Sequence, residues 1–174
     1  MKRIIFILHI VLLFIGCKGL FDRKDDELSF VKTPNTSDKI RLDGYYYNYD
    51  FVSTHIVTYF FYRNGIVLFW GTTNSIEHFE EILNDEMVVN KIRAHKSSWG
   101  LYQLNNDTII TNGLFVYPGE LRLISNISKG IILNDTTIMF NSSVKSNNSV
   151  RLRNDTLHFK QFSPKPDSTN VFIR

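Results

Sequence analysis

Hydrophobic and polar positions divide this 174-residue chain into three parts. Residues 1–16 are dominated by one run that is apolar apart from His9, and residues 17–39 are polar and charged without a sustained period. Residues 40–174 alternate short β-prone runs with turn residues. The pattern therefore predicts an N-terminal leader (1–16), a flexible tether (17–39) and a single β-rich domain (40–174).

The first runs of the domain predict strands that are rich in tyrosine. The run IRLDGYYYNYDF begins at Ile40 and suits a strand with a kink at Gly44. The next two runs, HIVTYFFY and IVLFWG, flank Asn64-Gly65, and both of these residues tolerate positive φ. We therefore expect a β-hairpin with a type I′ turn at Asn64-Gly65.

The hydrophobic period changes after this hairpin. Ile76, Phe79, Ile82 and Leu83 fall on one helical face, and a second short helical piece is predicted at 86–93. Because the chain around them is β-prone, we expect this inserted helical segment to serve as a lid or plug.

The tripeptide Asn-Asp-Thr occurs three times in the second half, at 106–108, 134–136 and 154–156. Asn-Asp provides turn chemistry and Thr opens a strand, so the three copies predict three hairpin turns. The prolines at 164 and 166 exclude a central strand there, and residues 171–173 are expected to return as a final edge strand. The predicted fold is mainly β, an antiparallel meander or barrel with one inserted helical segment.

The leader has the features of a secretory signal. Lys2 and Arg3 precede an apolar run at 4–15 that is too short to cross a hydrocarbon core of ~30 Å. The motif FIGC ends at Cys17, the only cysteine, and resembles a bacterial lipobox, where the thiol is acylated and the leader is removed. The alternatives are an ordinary secretory signal with an unrelated cysteine, and an uncleaved N-terminal anchor helix.

A lipobox implies a lipid-anchored protein of the bacterial envelope. More than one acyl chain on Cys17 would give stable anchoring, whereas a single chain binds a membrane only marginally. Lys18 stands where an aspartate would favour retention in the inner membrane, so we expect the outer membrane, at its periplasmic face or at the cell surface. The acidic residues within 22–27 resemble a surface-targeting tether, although solvated linkers have the same composition.

The charge of the chain argues against a nucleic-acid partner. The formal net charge of +3 includes Lys2 and Arg3, and their removal leaves 18 basic and 17 acidic side chains. No cluster of Lys and Arg interleaved with aromatic residues offers a surface that would follow phosphates. With its single cysteine assigned to lipid, the domain also has no disulfide.

The polar residues carry no recognisable catalytic or metal motif. The histidines after the leader are His55, His78, His95 and His158. They lack metal-ligand spacing, and His78 beside Glu77 and Glu80 is typical of a solvated helix face. The stretch SSWG at 97–100 is no nucleophile elbow. We therefore predict no catalytic site, no metal and no cofactor.

Aromatic side chains give the strongest candidates for a binding site. The candidate ligand-contacting residues are Tyr45, Tyr47, Tyr49, Tyr59, Trp70 and Trp99. On an alternating strand, one aromatic face forms core, and the other could line a cavity or a surface that contacts sugar or lipid. Tyr46 lies opposite Tyr45 and Tyr47. The alternative is a core with an aromatic-rich outer face.

Two stretches resemble the lipocalin-like (calycin) barrels of small outer-membrane lipoproteins in Gram-negative bacteria. LDGYY at 42–46 is similar to their first-strand G-x-W signature, with Tyr46 in the tryptophan position. WGLY at 99–102, followed by NDTI at 106–109, is similar to their W-G-x-Y…D-T-I hairpins. The resemblance covers about residues 40–162 and implies a barrel that holds, or once held, an apolar ligand.

Two functions follow as hypotheses. The first is a lipid-anchored, non-catalytic binding module for a small apolar or glycan ligand. The second is a structural or interaction lipoprotein of an envelope complex, with a filled core and a protein partner. An envelope hydrolase ranks last, because the sequence supplies neither paired acids nor a base-linked nucleophile at a recognisable spacing.

Overall fold

The computed structural model describes residues 24–50, 55–73 and 75–174. Within these ranges the chain forms a closed antiparallel barrel of eight strands in sequence order, because the last strand pairs with the first. The prediction of a mainly β, antiparallel fold is confirmed, in its barrel form. The leader (1–16) and Cys17 lie outside the described residues, so removal of the leader and acylation of the cysteine stay predictions.

The strands are β1 (Gly44–Asp50), β2 (His55–Phe61), β3 (Ile66–Thr73), β4 (Trp99–Asn105), β5 (Thr108–Phe115), β6 (Ile124–Asn134), β7 (Thr137–Lys145) and β8 (Val150–Gln161). Between β3 and β4 lie helices α1 (Ile76–Leu83) and α2 (Glu86–Arg93), and a 3₁₀ turn (Lys96–Ser98). The inserted helical segment is therefore confirmed. No helix in these ranges is both long enough and apolar enough to cross a membrane.

Alternation along the strands builds two apolar clusters, one on each side of the barrel wall. The interior cluster includes Tyr46, Tyr59, Phe61, Phe69, Tyr102 and Phe140. The outer cluster includes Tyr45, Phe60, Leu68, Trp70, Phe79 and Trp99. Neighbours such as Tyr45 and Tyr46 belong to different clusters because successive side chains of a strand point to opposite faces.

Helices α1 and α2 cover the outer face of the wall. Phe79 of α1 packs edge-on against Tyr45 and Trp70, with ring centres 5.2 and 5.3 Å away. Leu83 and Val89 are buried in the same outer cluster. The expected role as a lid or plug is wrong, because the apolar faces of the helices pack against outward-pointing aromatic side chains of the strands.

The hairpin predicted at Asn64-Gly65 is present, but its turn is not type I′. A type I′ turn needs positive φ at both positions, and of these two residues only Gly65 has it, at 82°. The Gly65 N–H donates to the Tyr62 carbonyl at 3.0 Å. Asn64 Oδ1 accepts from the Ile66 N–H at 3.2 Å, so the side chain of Asn64 stabilises a longer loop.

Two of the three Asn-Asp-Thr copies lie at hairpin turns, as predicted. The first connects β4 to β5, with Asn106 at φ 53°, and the second connects β6 to β7. The third lies inside β8, so the turn predicted there is wrong. Asp155 and Thr156 pair with β7, and the Asp155 carboxylate accepts a hydrogen bond from Arg153. The β7–β8 connection is formed by residues 146–149.

Residues 24–39, here called the N-terminal strap, lie along the outside of the barrel. The Ser29 N–H donates to the buried Asn112 Oδ1 at 2.6 Å, and Phe30 packs against the outer cluster. Contacts with the barrel therefore begin before Ile40, where the sequence places the start of the domain. The division into leader, tether and domain stays a prediction.

Residues 162–174 contain no strand. The final edge strand predicted at 171–173 is wrong, because the closed barrel leaves no edge to extend. Ile173 packs against the outer cluster instead, while Val171 is exposed.

Candidate ligand-binding site

One end of the barrel interior is filled by side chains. Tyr46 donates its hydroxyl hydrogen to the Asp135 carbonyl, and Tyr102 donates to the Tyr62 carbonyl at 2.8 Å. Burial raises the pKa of Tyr102 to about 12, so this hydroxyl stays neutral. This end is closed by packed aromatic rings, and both tyrosine hydroxyls are hydrogen-bonded to backbone carbonyls.

Towards the other end the strands surround an open cavity of about 450 Å³, which we call the end cavity. Its lining residues are Val57, Tyr59, Phe115, Val116, Tyr117, Asn126, Ser143, Lys145, Ser149, Arg151, Arg153 and Asp155. The volume lies within the range of small-molecule sites, and the lining combines an aromatic wall with charged groups.

Strand β8 supplies most of the charge. Arg151, Arg153 and Asp155 occupy alternate positions, in phase with Leu157 and Phe159 of the interior cluster. The inward face of β8 is therefore apolar at the filled end of the barrel and charged at the end cavity.

Arg153 is fixed by its neighbours. Its Nε donates to Asp155, and its Nη1 donates to Ser128 Oγ at 2.9 Å. Its guanidinium carbon lies 5.5 Å from the ring centre of Phe140. Burial disfavours the charge, but Tyr59 and Asp155 outweigh it and raise the pKa of Arg153 above its ordinary value.

The rim of the end cavity carries two further cations. Lys145 Nζ lies 3.5 Å from the ring centre of Tyr117, a cation–π contact. Burial raises the pKa of Tyr117, which keeps its hydroxyl protonated. Arg151 is exposed. The lining therefore has three cationic side chains, Lys145, Arg151 and Arg153, and one carboxylate, Asp155.

Asn126 contributes an unpaired polar atom. The residue is 7% exposed, and its Nδ2 donates to Ser128 Oγ at 3.2 Å. Its buried Oδ1 has no hydrogen-bond partner. Such acceptors are uncommon in folded proteins, because leaving one unpaired costs about 1–3 kcal/mol.

A register shift brings β7 into the site. Gly130 of β6 pairs with Phe140 but the adjacent Lys129 pairs with Ser142, so β7 has one extra residue at this point. Residues an odd number apart on a regular strand point to opposite faces. Because of the extra residue, Phe140 and Ser143 both point inward: Phe140 belongs to the interior cluster, and Ser143 and Lys145 line the end cavity.

The six aromatic candidates do not line one common cavity. Tyr59 lies in the end cavity. Tyr45 and Trp70 are buried beneath α1 on the outer face. The Tyr45 hydroxyl donates to Glu80 Oε1 at 3.0 Å, and burial raises the pKa of Tyr45.

The remaining candidates also lie outside the barrel. Tyr47 stacks edge-on with Tyr45, at 6.1 Å between ring centres, and Tyr49 follows it on the same face of β1. Trp99 Nε1 donates to the Arg93 carbonyl at 2.8 Å, and its ring lines a second cavity, of about 420 Å³, beside the N-terminal strap. A ligand-contacting role for each of the six stays a prediction.

The charged residues of the end cavity were not among the sequence candidates. Their signal was present in β8, where VRLRNDTLHF places Arg151, Arg153 and Asp155 in phase with two apolar core positions. An isolated charge on a strand usually faces solvent, whereas charges in phase with core residues indicate a polar interior. No such signal exists for Lys145, because the register shift changes its face.

Metal ligation has no candidate in the parts of the chain that the structure describes, where no group of at least three His, Cys, Asp or Glu side chains could hold an ion. His78 and His158 are exposed. The absence of a metal, a cofactor and a catalytic site stays a prediction.

Comparison with known proteins finds no matching protein-family model, no matching curated protein and no matching solved structure. The closed eight-stranded barrel has the form that the lipocalin-like resemblance implies. Membership of those lipoproteins stays a prediction.

Proposed function

We propose that this protein is a non-catalytic binding protein of the bacterial envelope that takes a small ligand in the end cavity. The observation that carries the proposal is the cavity of about 450 Å³ between β2, β5, β6, β7 and β8. A concave site of this size that combines ring surfaces with convergent polar groups is typical of small-molecule binding.

The lining suits an apolar group or a sugar ring. Tyr59, Phe115 and Tyr117 supply ring surfaces, and Arg151 and Arg153 supply hydrogen-bond donors at the same site. The lipocalin-like resemblance supports the same class of function, since it implies a barrel that accommodates a ligand.

We further propose that a lipid on Cys17 anchors this binding protein to the outer membrane. The support is the sequence, in which FIGC follows a short apolar run and Lys18 follows the cysteine. Growth with labelled palmitate is expected to label the wild-type chain and to leave the Cys17→Ser chain unlabelled. Equal labelling of both chains would contradict acylation at this thiol.

Native mass spectrometry of the full chain, gently extracted in a non-ionic detergent, tests the binding function. We expect a co-purified small molecule on the wild-type protein. Ser143→Phe places a ring in the end cavity and is expected to abolish this adduct, whereas the neighbouring Ser142→Phe, which pairs opposite Leu152, is the matched control.

Thermal unfolding of both variants shows whether a loss of the adduct is due to misfolding. Ser149→Phe, at an exposed rim position, provides a second block that leaves the buried lining intact. A wild-type protein without any adduct, or an adduct that all three variants retain, would contradict a ligand site in this cavity.

A second candidate is an interaction lipoprotein of an envelope complex. Below the end cavity the barrel is filled by aromatic residues, and Val150 and Leu152 at the start of β8 are exposed by 65% and 83%. Affinity isolation is then expected to recover a stoichiometric protein partner that Leu152→Asp loses and Lys129→Asp retains. Recovery of the bait alone would remove the support for this candidate.

A further inference from the structure

We propose that the end cavity selects a compact hydroxylated anion, for which an acidic sugar is the representative class. This inference rests on the binding function proposed above and adds the chemical class of the ligand. Three observations carry it: the excess of positive charge, the unpaired acceptor of Asn126, and the filled interior below the cavity.

The positive charge of the lining is only partly compensated. Asp155 is bonded to Arg153, which leaves Lys145 and Arg151 without a carboxylate among the lining residues. A carboxylate or phosphate in the cavity would pair with these cations, and the planar fork of Arg151 can bind either group through two hydrogen bonds. The charge of the site therefore favours an anion over a neutral ligand.

The buried Oδ1 of Asn126 requires a hydrogen-bond donor. Carboxylates and fully ionised phosphates only accept hydrogen bonds, so the anionic group of the ligand cannot satisfy this atom. A hydroxyl group can, and the Ser143 and Ser149 side chains add further hydroxyl partners in the lining. A ligand with an anionic group for the cations and a hydroxyl for Asn126 would use both features of the lining.

The floor of the cavity limits the length of the ligand. Tyr59 stacks on Phe140 with ring centres 5.7 Å apart, and Phe61 continues the packing towards the filled end. A long acyl chain has no space along the barrel axis. A ligand as compact as one or two sugar rings fits a volume of about 450 Å³ and can lie against the aromatic wall.

Calorimetric titration of the full chain, in a non-ionic detergent at low salt, tests the inference with three matched probes. Glucuronate carries a carboxylate, glucose 6-phosphate carries a phosphate, and glucose carries no charge. We expect at least one of the two anions to bind about tenfold or more tightly than glucose, and the preferred anion identifies the group that the cations recognise. Raising the salt concentration is expected to weaken binding of the anion.

Variants that reverse a charge at the rim of the end cavity test whether the cations bind the anion. Arg151→Glu changes an exposed side chain and is expected to weaken anion binding about tenfold or more, and Lys145→Glu is expected to act in the same direction. Lys129→Glu makes the same change of charge at an exposed position of β6 outside the lining and is expected to leave affinity within about twofold. Asn126→Leu is expected to reduce the affinity for glucuronate more than the affinity for acetate, which lacks a hydroxyl.

Several results would overturn the inference. They are binding of both anions no tighter than that of glucose, equal effects of Arg151→Glu and Lys129→Glu, and no binding of any probe. If the mass-spectrometric experiment still shows an adduct that Ser143→Phe removes, the binding function stands and only the ligand class fails. If no adduct is seen either, the binding function fails with it.

Discussion

Lys165 shows how a single residue couples the C-terminal segment to the barrel. Its ammonium donates to the carbonyls of Leu42 and Phe61, the second at 2.9 Å, and lies 4.4 Å from the ring centre of Tyr62. Burial lowers the pKa of Lys165 to about 8, and the charge of Asp43 only partly opposes this effect. The folded state therefore holds the proton of this lysine less tightly than an exposed lysine does.

This pKa predicts a rise in stability with pH. Between about 8 and the ordinary value of 10.5, the unfolded chain binds more protons at Lys165 than the folded chain, so the free energy of unfolding increases with pH. Lys165→Met removes this contribution, which we expect to be on the order of 1–2 kcal/mol after solvent screening. Urea unfolding at pH 7, 8.5 and 10 measures the difference between the two proteins.

The exposed Lys129→Met is the matched control for Lys165. Its free energy of unfolding should differ little from that of the wild type at each of the three pH values, because the side chain is exposed. Parallel pH curves for the wild type and Lys165→Met would show that burial does not affect the proton affinity of Lys165.

At the scale of elements, α1 stabilises the barrel from outside. Phe79 is 0% exposed and contacts rings of three strand residues, Tyr45, Phe60 and Trp70. Burying a phenylalanine among such rings stabilises the fold, because apolar surface is removed from water and the rings pack closely. The helix is therefore part of the folded core.

Phe79→Ala should lower the free energy of unfolding by about 3–5 kcal/mol, because it removes a ring and leaves a cavity beneath α1. Met87→Ala on α2, at a residue that is 80% exposed, should change stability by about 0.5 kcal/mol or less. Chemical denaturation of both variants measures these values. Similar small effects for the two substitutions would mean that α1 does not pack stably on the wall.

The types of the elements were predictable from sequence, but their placement was not. Period and turn residues locate α1 and the first hairpin correctly, since these signals are local. Tyr45 and Tyr46 point to opposite sides of the barrel wall, and each belongs to an aromatic cluster. The sequence pattern therefore does not show which of the two faces the barrel interior and which faces α1. The sequence therefore predicts a lid or plug, whereas α1 packs on the outer face of the barrel wall.

The same limit applies to the candidate site. Asn-Asp-Thr is a turn at 134–136 and strand at 154–156, because pairing with β7 and the bond from Arg153 to Asp155 override the local preference. The face of Lys145 depends on a register shift that only the paired strands define. Only Tyr59 of the sequence candidates lies in the end cavity, since its alternation with Phe61 is regular.

At the scale of the whole molecule, Asp26 joins the N-terminal strap to the end of the barrel that holds the cavity. Its carboxylate accepts hydrogen bonds from Arg122, from the Ser125 N–H at 2.8 Å and from the Ser146 hydroxyl. Arg122 precedes β6, and Ser146 lies in the turn between β7 and β8, which continues from Lys145. One carboxylate thus connects three separate segments of the chain.

Asp26→Asn should therefore loosen the strap and lower the free energy of unfolding at pH 7 by about 1–3 kcal/mol, since hydrogen bonds to a charged acceptor are lost. The Ser146 hydrogen bond, with Ser125 and Arg122, lowers the pKa of Asp26 below its ordinary 3.8, so its contribution is present above about pH 4 and is lost as the pH falls further. Denaturation curves at pH 7 and pH 3 should show a smaller difference at the lower pH. Asp38→Asn, at a side chain that is 89% exposed, should have little effect at either pH. A pH-independent difference for Asp26→Asn would contradict a role of the charged carboxylate in joining the N-terminal strap to the barrel and would assign the effect to packing alone.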